Sequence, residues 1–239
     1  SNKKTPYLCG VWRFANAYDW YDNKEMLPTG LAGLSEKIHK LGLKFGIWVE
    51  PEMVSEDSDL YRKHPDWAVR IPGQEHALGR NQMVLDLTRE EVRNYIIESM
   101  SDVFSRGKVD YVKWDMNRNL SDYYSQGLAP RHQGEFAHRY ILGLYQVIQT
   151  LTDRFPHILF EACASGGNRF DLGMLCFMPQ IWASDNTDAI SRARIQNSYS
   201  YGYPQSVIAA HVSGCPNHQT LRRTPLTSRF AIASVGILG

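Results

Sequence analysis

The 239-residue chain has almost no net charge: 26 Lys and Arg stand against 25 Asp and Glu, a formal +1. A chain that balanced lacks the single-signed field that a nucleic acid or an anionic membrane surface rewards, so neither is expected as a partner. It has no uninterrupted apolar run near the roughly 20 residues that cross a bilayer, and a helical span is excluded. The four cysteines, Cys9, Cys163, Cys176 and Cys215, include no C-x-x-C pair. Zinc ribbons and disulfide scaffolds are therefore poor fits. The opening Ser1-Asn2-Lys3-Lys4-Thr5-Pro6 carries no apolar segment after its lysines, and with reduced thiols the reading is a cytoplasmic protein. No low-complexity tract, charge block or internal repeat divides the chain. G-x-G-x-x-G, Walker A, H-E-x-x-H and G-x-S-x-G are all missing. Nucleotide-phosphate binding, zincin chemistry and a hydrolase elbow thereby lose their usual signatures, and no metal or cofactor is expected. Rings, by contrast, are plentiful, with 13 Tyr and 6 Trp. In a neutral protein they favour stacking on a sugar.

A repeating unit runs through the chain: a short apolar run, an acidic or polar residue, a loop, then a helical pattern. The runs are 43–49, 109–114, 158–162, 180–183, 206–212 and 233–238, apolar on both faces as buried parallel strands are. Thr88-Arg89-Glu90-Glu91 reads as a capping box. Val92, Ile96, Val103 and Phe104 follow near helical spacing until Gly107 stops the element. Tyr140, Ile141, Leu144, Val147, Ile148 and Leu151 form one stripe of a helix over 136–154, with Pro156 beyond it. A third helix is expected over 31–41. Alternating strand and helix means a parallel α/β sheet. Glu50, Asp115, Glu161, Asp185 and His211 each sit at the carboxyl end of a different strand, and a barrel gathers such residues on one face. The fold class is therefore read as α/β, a (β/α)8 TIM-barrel type, with residues 1–239 forming one catalytic domain.

The strand ends are rich in carboxylates beside tryptophans, a pattern that suggests glycoside hydrolysis. That chemistry needs one carboxylate and one carboxylic acid. A separation of about 5–5.5 Å retains configuration and about 6.5–9.5 Å inverts it, and the sequence leaves the choice open. The histidines lie mostly in loops or helices and give no metal-ligand spacing.

Five segments carry a resemblance. Trp48-Val49-Glu50-Pro51-Glu52-Met53-Val54-Ser55, Arg80-Asn81-Gln82, Lys113-Trp114-Asp115-Met116-Asn117-Arg118, Glu161-Ala162-Cys163-Ala164-Ser165-Gly166-Gly167 and Ser184-Asp185-Asn186-Thr187-Asp188 resemble the catalytic barrel of glycoside hydrolase family 36. That family comprises microbial α-galactosidases and related raffinose synthases. The resemblance implies retaining hydrolysis of terminal α-galactosides of the melibiose or raffinose type, with no cofactor. It implies Asp115 as the nucleophile and Asp185 as the general acid/base. Trp20, Arg80, Lys113, Asn117, Cys163, Gly166 and Trp182 are the implied substrate-binding residues. A homo-oligomer is implied as well, since the family often forms tetramers.

The family's Asp-Asp-Gly-Trp motif, whose aspartates hold sugar hydroxyls, has no counterpart in Tyr7-Leu8-Cys9-Gly10-Val11-Trp12-Arg13-Phe14. Residues 1–30 are read as a remodelled opening segment, with strands 3 to 8 of the barrel following and 7–12 as one further candidate strand. Weakened turnover is expected from the missing aspartates. A sugar-binding or structural remnant and a galactosyl transferase are the alternatives. Lys113 and Arg118 flank Asp115 and are expected to keep it ionised, while Trp182 is expected to give Asp185 apolar surroundings. Glu50 and Glu52 are read as braces for Lys113 or Arg80, and Glu161 as a buried acid paired with a lysine. Cys163 reads equally as a small buried hydrophobe. His211 is read as a hydrogen-bonded core histidine, 192–194 as a solvated helix face, and Trp67 as a distal subsite or a loop closure.

Overall fold

The computed structural model describes residues 19–25 and 27–238, so the candidate strand over 7–12 lies outside the described residues. In chain order the elements are α1 (Gly30–Lys40), β1 (Gly46–Val49), β2 (Met53–Val54), α2 (Asp59–Lys63), β3 (Met83–Val84), α3 (Glu90–Gly107), β4 (Tyr111–Trp114), α4 (Phe136–Arg154), β5 (Leu159–Ala162), α5 (Leu172–Leu175), β6 (Gln180–Trp182), α6 (Ala189–Tyr199), β7 (Ile208–Ala210), α7 (Leu226–Ala233) and β8 (Ile237–Leu238). Apart from β2 and β3, which pair antiparallel in a small sheet of their own, the strands alternate with helices as in a (β/α) barrel fold. Two compact units divide the chain, with the boundary between Leu159 and Phe160.

In the first unit β1 pairs in parallel with β4, Ile47 opposite Val112, Trp48 opposite Lys113 and Val49 opposite Trp114. Side chains alternate across a strand. Ile47, Val49, Val112 and Trp114 are buried on one face, while Trp48 and Lys113 lie half-buried on the other. The ladder continues one step, with Asp115 N donating to Val49 O at 2.9 Å. Glu50 and Asp115 therefore extend the Trp48–Lys113 face just past the strand ends. Helices α3 and α4 pack on each other in this unit. The expected stripe of α4 is buried through Tyr140, Leu144, Val147, Ile148 and Leu151, though Ile141 is half-exposed. Full burial of each such aliphatic side chain contributes about 1.5–3 kcal/mol.

The start of α3 differs from the capping box. Its N-cap is Arg89, without a side-chain cap. The Thr88 hydroxyl donates instead to Asp86 Oδ1 at 2.6 Å, and Ser125 donates to Asp86 Oδ2 at 2.5 Å. Glu91 pairs with Arg89 at 2.6 Å. The end of α3 also differs: Gly107 is still helical, and Lys108 takes the left-handed conformation at φ 45°. Gly107 is small for packing, because a Cβ there would lie 2.9 Å from Val109.

The second unit carries β5 from Phe160 onward, then β6, β7 and β8, paired in parallel in that order. The strands are shorter than the apolar runs. A 3-10 turn, Gln205–Val207, occupies the start of the 206–212 run. Ala233 closes α7 rather than opening β8, and the Ser234 hydroxyl donates back to Phe230 O at 2.8 Å.

Candidate active site

In the first unit the site is built on the paired ends of β1 and β4. Asp115 is buried, and among the described residues its Oδ1 accepts from Met116 N at 2.8 Å, and its Oδ2 from Trp48 Nε1 at 3.0 Å and Asn117 Nδ2 at 2.7 Å. Asn117 also donates to Glu50 Oε1. Glu50 is buried, with Arg80 Nη1 at 3.5 Å. Burial pushes the Glu50 carboxyl up to about 7; Asn117 and Arg80 pull it down and Asp115 pushes it up. The expected bracing of Arg80 by Glu50 is present. Glu52 points into the core, where Trp114 Nε1 and the Tyr140 hydroxyl donate to it at 2.8 and 2.9 Å.

Arg80 rides on a tight turn. Gly79 and Gln82 exchange backbone hydrogen bonds, and both central residues have positive φ, 56° at Arg80 and 61° at Asn81. Two left-handed central residues define a type I′ turn. Non-glycine residues in that region cost about 1–2 kcal/mol each, a strain that clusters at functional positions. Arg118 is aimed at this turn, donating to Ala77 O, to Gln82 O at 2.8 Å and to Ser121 at 3.0 Å. It was expected to flank Asp115; these contacts make it a brace for the loop that presents Arg80. Lys113 sits half-buried on the site face of β4. Trp20 lies beside the last turn of α3, its carbonyl accepting from Arg106 at 3.2 Å. Trp67 is buried, stacked on His64 at 4.0 Å with Tyr95 edge-on, and so closes a loop.

In the second unit the loops after β5 and β6 meet. Gly166 has φ +86°, and a Cβ on it would lie 3.0 Å from Ser184 Cα and 3.2 Å from Asp185 N. Only glycine combines that conformation with so close an approach. Cys163 is buried with Trp182 and Ala209. Asp185 is exposed and accepts from Trp182 Nε1 at 2.8 Å. Trp182 thus meets the carboxylate with its polar edge, and the expected apolar wall is corrected. Glu161 accepts from Gln180 Nε2 at 2.9 Å.

Arg192 overturns the solvated-face reading of 192–194. It is buried, donates to Ala209 O at 2.8 Å and stacks over Trp182 at 4.4 Å, while Arg194 is exposed. Burial lowers its guanidinium to about 10, opposed by Glu161 and Asp185. His211, expected in the core, is exposed, its ring 4.3 Å from Trp182. Asp188 caps α6 through Ser191 N at 3.0 Å. Burial disfavours its charge, but Ser191 and Arg222 hold its carboxyl below the usual range.

The first unit therefore brings together Asp115, Asn117 and Arg80 around Glu50, and the second brings together Asp185, Trp182, Cys163 and Gly166. Two participants were not singled out from the sequence. Trp48 was detectable, since Trp48 and Glu50 share a strand face by period two. Arg192 was not, because the buried stripe Ala189, Arg192, Gln196 is mostly polar and gives no apolar periodicity.

The family model Melibiase matches residues 14–239. The chain is 54% identical over 221 residues to alpha-galactosidase AgaA of Geobacillus stearothermophilus, covering 92% of this chain and 30% of that protein. It is 52% identical to alpha-galactosidase 1 of Pediococcus pentosaceus, with 92% and 30% covered. It spans about 30% of the length of these relatives. Crystal structures of AgaA variants in complex with raffinose and with stachyose each match with a TM-score of 0.91 at 54% identity, covering 92% and 93% of this chain and 31% of each of those chains. Each variant carries a substituted aspartate, to asparagine with raffinose and to alanine with stachyose, and the two aspartates lie 70 positions apart. The chain belongs to the Melibiase family, the α-galactosidases of glycoside hydrolase family 36.

Proposed function

We propose that residues 1–239 form the catalytic domain of a retaining α-galactoside hydrolase. One observation carries the reading: two aspartates, each at the carboxyl end of a parallel strand, each accept an indole N–H, Asp115 from Trp48 and Asp185 from Trp182. Their separation of 70 positions equals that of the aspartates substituted in the raffinose and stachyose complexes of the relative. In the first step a carboxylate oxygen of Asp115 attacks the anomeric carbon. The bond to the leaving oxygen breaks, and Asp185 gives that oxygen its proton. In the second, Asp185 takes a proton from water, whose oxygen attacks the same carbon and releases Asp115. Lys113, Arg80, Asn117, Cys163, Gly166, Trp182 and Trp20 serve as substrate-binding residues in this scheme. The substrates are galactosides of the raffinose or melibiose type, and the protein acts as a homo-oligomer in the cytoplasm.

Replacing Asp115 with glycine tests the nucleophile. Turnover of a chromogenic α-galactoside is expected to fall by about 10³-fold or more, since covalent catalysis is lost. Added azide restores release of the chromophore and yields the β-galactosyl azide. An Asp115 variant with the wild-type rate overturns the assignment.

A further inference from the structure

Glu50 is a buried acid, 2% exposed, to which neither step above gives a task. It projects from the end of β1, and its Oε1 accepts one proton of the Asn117 amide. The same Nδ2 lies 2.7 Å from Asp115 Oδ2. An amide nitrogen has two hydrogens, so one donor group serves both carboxylates. Among the described residues, the charged groups against Glu50 are Arg80, from the 79–82 turn, and Asp115, from the end of β4; the neutral ones are Asn117 and Gln82.

We infer that Glu50 is a positioning residue for Asp115, acting through the shared Asn117 amide to fix the Asp115 carboxylate for attack. This rests on Asp115 being the nucleophile. An ionised carboxylate accepts the amide proton more strongly than a protonated one. The frame therefore tightens as Glu50 loses its proton, which burial delays to about pH 7.

Carbon-13 NMR of labelled carboxyl groups in the 239-residue chain tests the coupling without turnover. The Asp115 resonance is expected to step near pH 7 together with Glu50, to lose that step in Glu50→Gln, and to keep only a smaller through-space part of it in Asn117→Ala. A step that persists in Glu50→Gln, one as large in Asn117→Ala as in the wild type, or none in the wild type overturns the inference. In turnover, Glu50→Gln is expected to lower kcat about tenfold or more with KM nearly unchanged, the effect of one charge-assisted hydrogen bond. It also removes an inflection near pH 7 from the kcat profile. A kcat loss that keeps the wild-type inflection marks a merely structural role and overturns the inference. Azide rescue of the Asp115 variant reports separately on the nucleophile: coupling without rescue overturns that assignment, and rescue without coupling overturns the role of Glu50.

Discussion

At the residue scale the arrangement around Asp115 trades stability for position. Glu50 holds its proton more tightly in the folded chain, titrating at about 7 against an ordinary 4.5. Between those values the folded chain keeps a proton that the unfolded chain has released. Its contribution is full below about pH 4.5 and is lost as pH rises through about 7. The whole loss is about 3 kcal/mol. Chemical denaturation of the wild type from about pH 5 to 8 should show this decline, and Glu50→Gln should be flatter and more stable at the upper end. A wild-type profile identical to that of the variant would mean that Glu50 is not desolvated. The left-handed Arg80 and Asn117's double donation belong to the same economy, since functional sites keep strain that the rest of the fold tolerates.

Elements decide where these residues stand. β1 and β4 are only four residues each, yet their parallel register sets Trp48 beside Lys113 and carries Glu50 and Asp115 onto one face. Glu52, facing the core, takes hydrogen bonds from Trp114 of β4 and Tyr140 of α4 and so ties strand to helix. The helix before β4 ends imperfectly, with Lys108 at φ 45° where glycine is preferred. Lys108→Gly is expected to raise stability by about 1 kcal/mol, by removing the left-handed penalty of a side chain. An unchanged or lowered thermal midpoint would show that the lysine side chain makes compensating contacts.

For the whole molecule, the two compact units raise the question of cooperativity. We propose that both belong to one catalytic domain. Fluorotryptophan signals separate the units, because Trp114 belongs to the first and Trp182 to the second. The expected outcome is one shared denaturation midpoint; two separate midpoints would make the units independent domains. Among the described residues no helix is long and apolar enough to cross a membrane.

Much of this was legible beforehand. Parallel strands, the helix over 136–154 and the acids at strand ends follow from periodicity and from residue type, since apolar spacing reports burial directly. Asp115, Asp185, Lys113 and Arg80 could be named as candidates without a fold because their motifs are local in sequence. Register and polar partnership were not legible. The Thr88 hydroxyl donates to Asp86 while the helix starts from Arg89, Arg192 went under Trp182 instead of into solvent, and Trp182 offered Asp185 its N–H rather than its face. Each choice depends on which polar groups tertiary packing deprives of water, and a buried polar group must then find its partner wherever the fold has put one. The sequence alone set the alternation of elements and the identity of the acids; the folded chain alone decided that Asn117 would stand between Glu50 and Asp115, because hydrogen-bond distances join residues 67 positions apart only once β1 and β4 have paired.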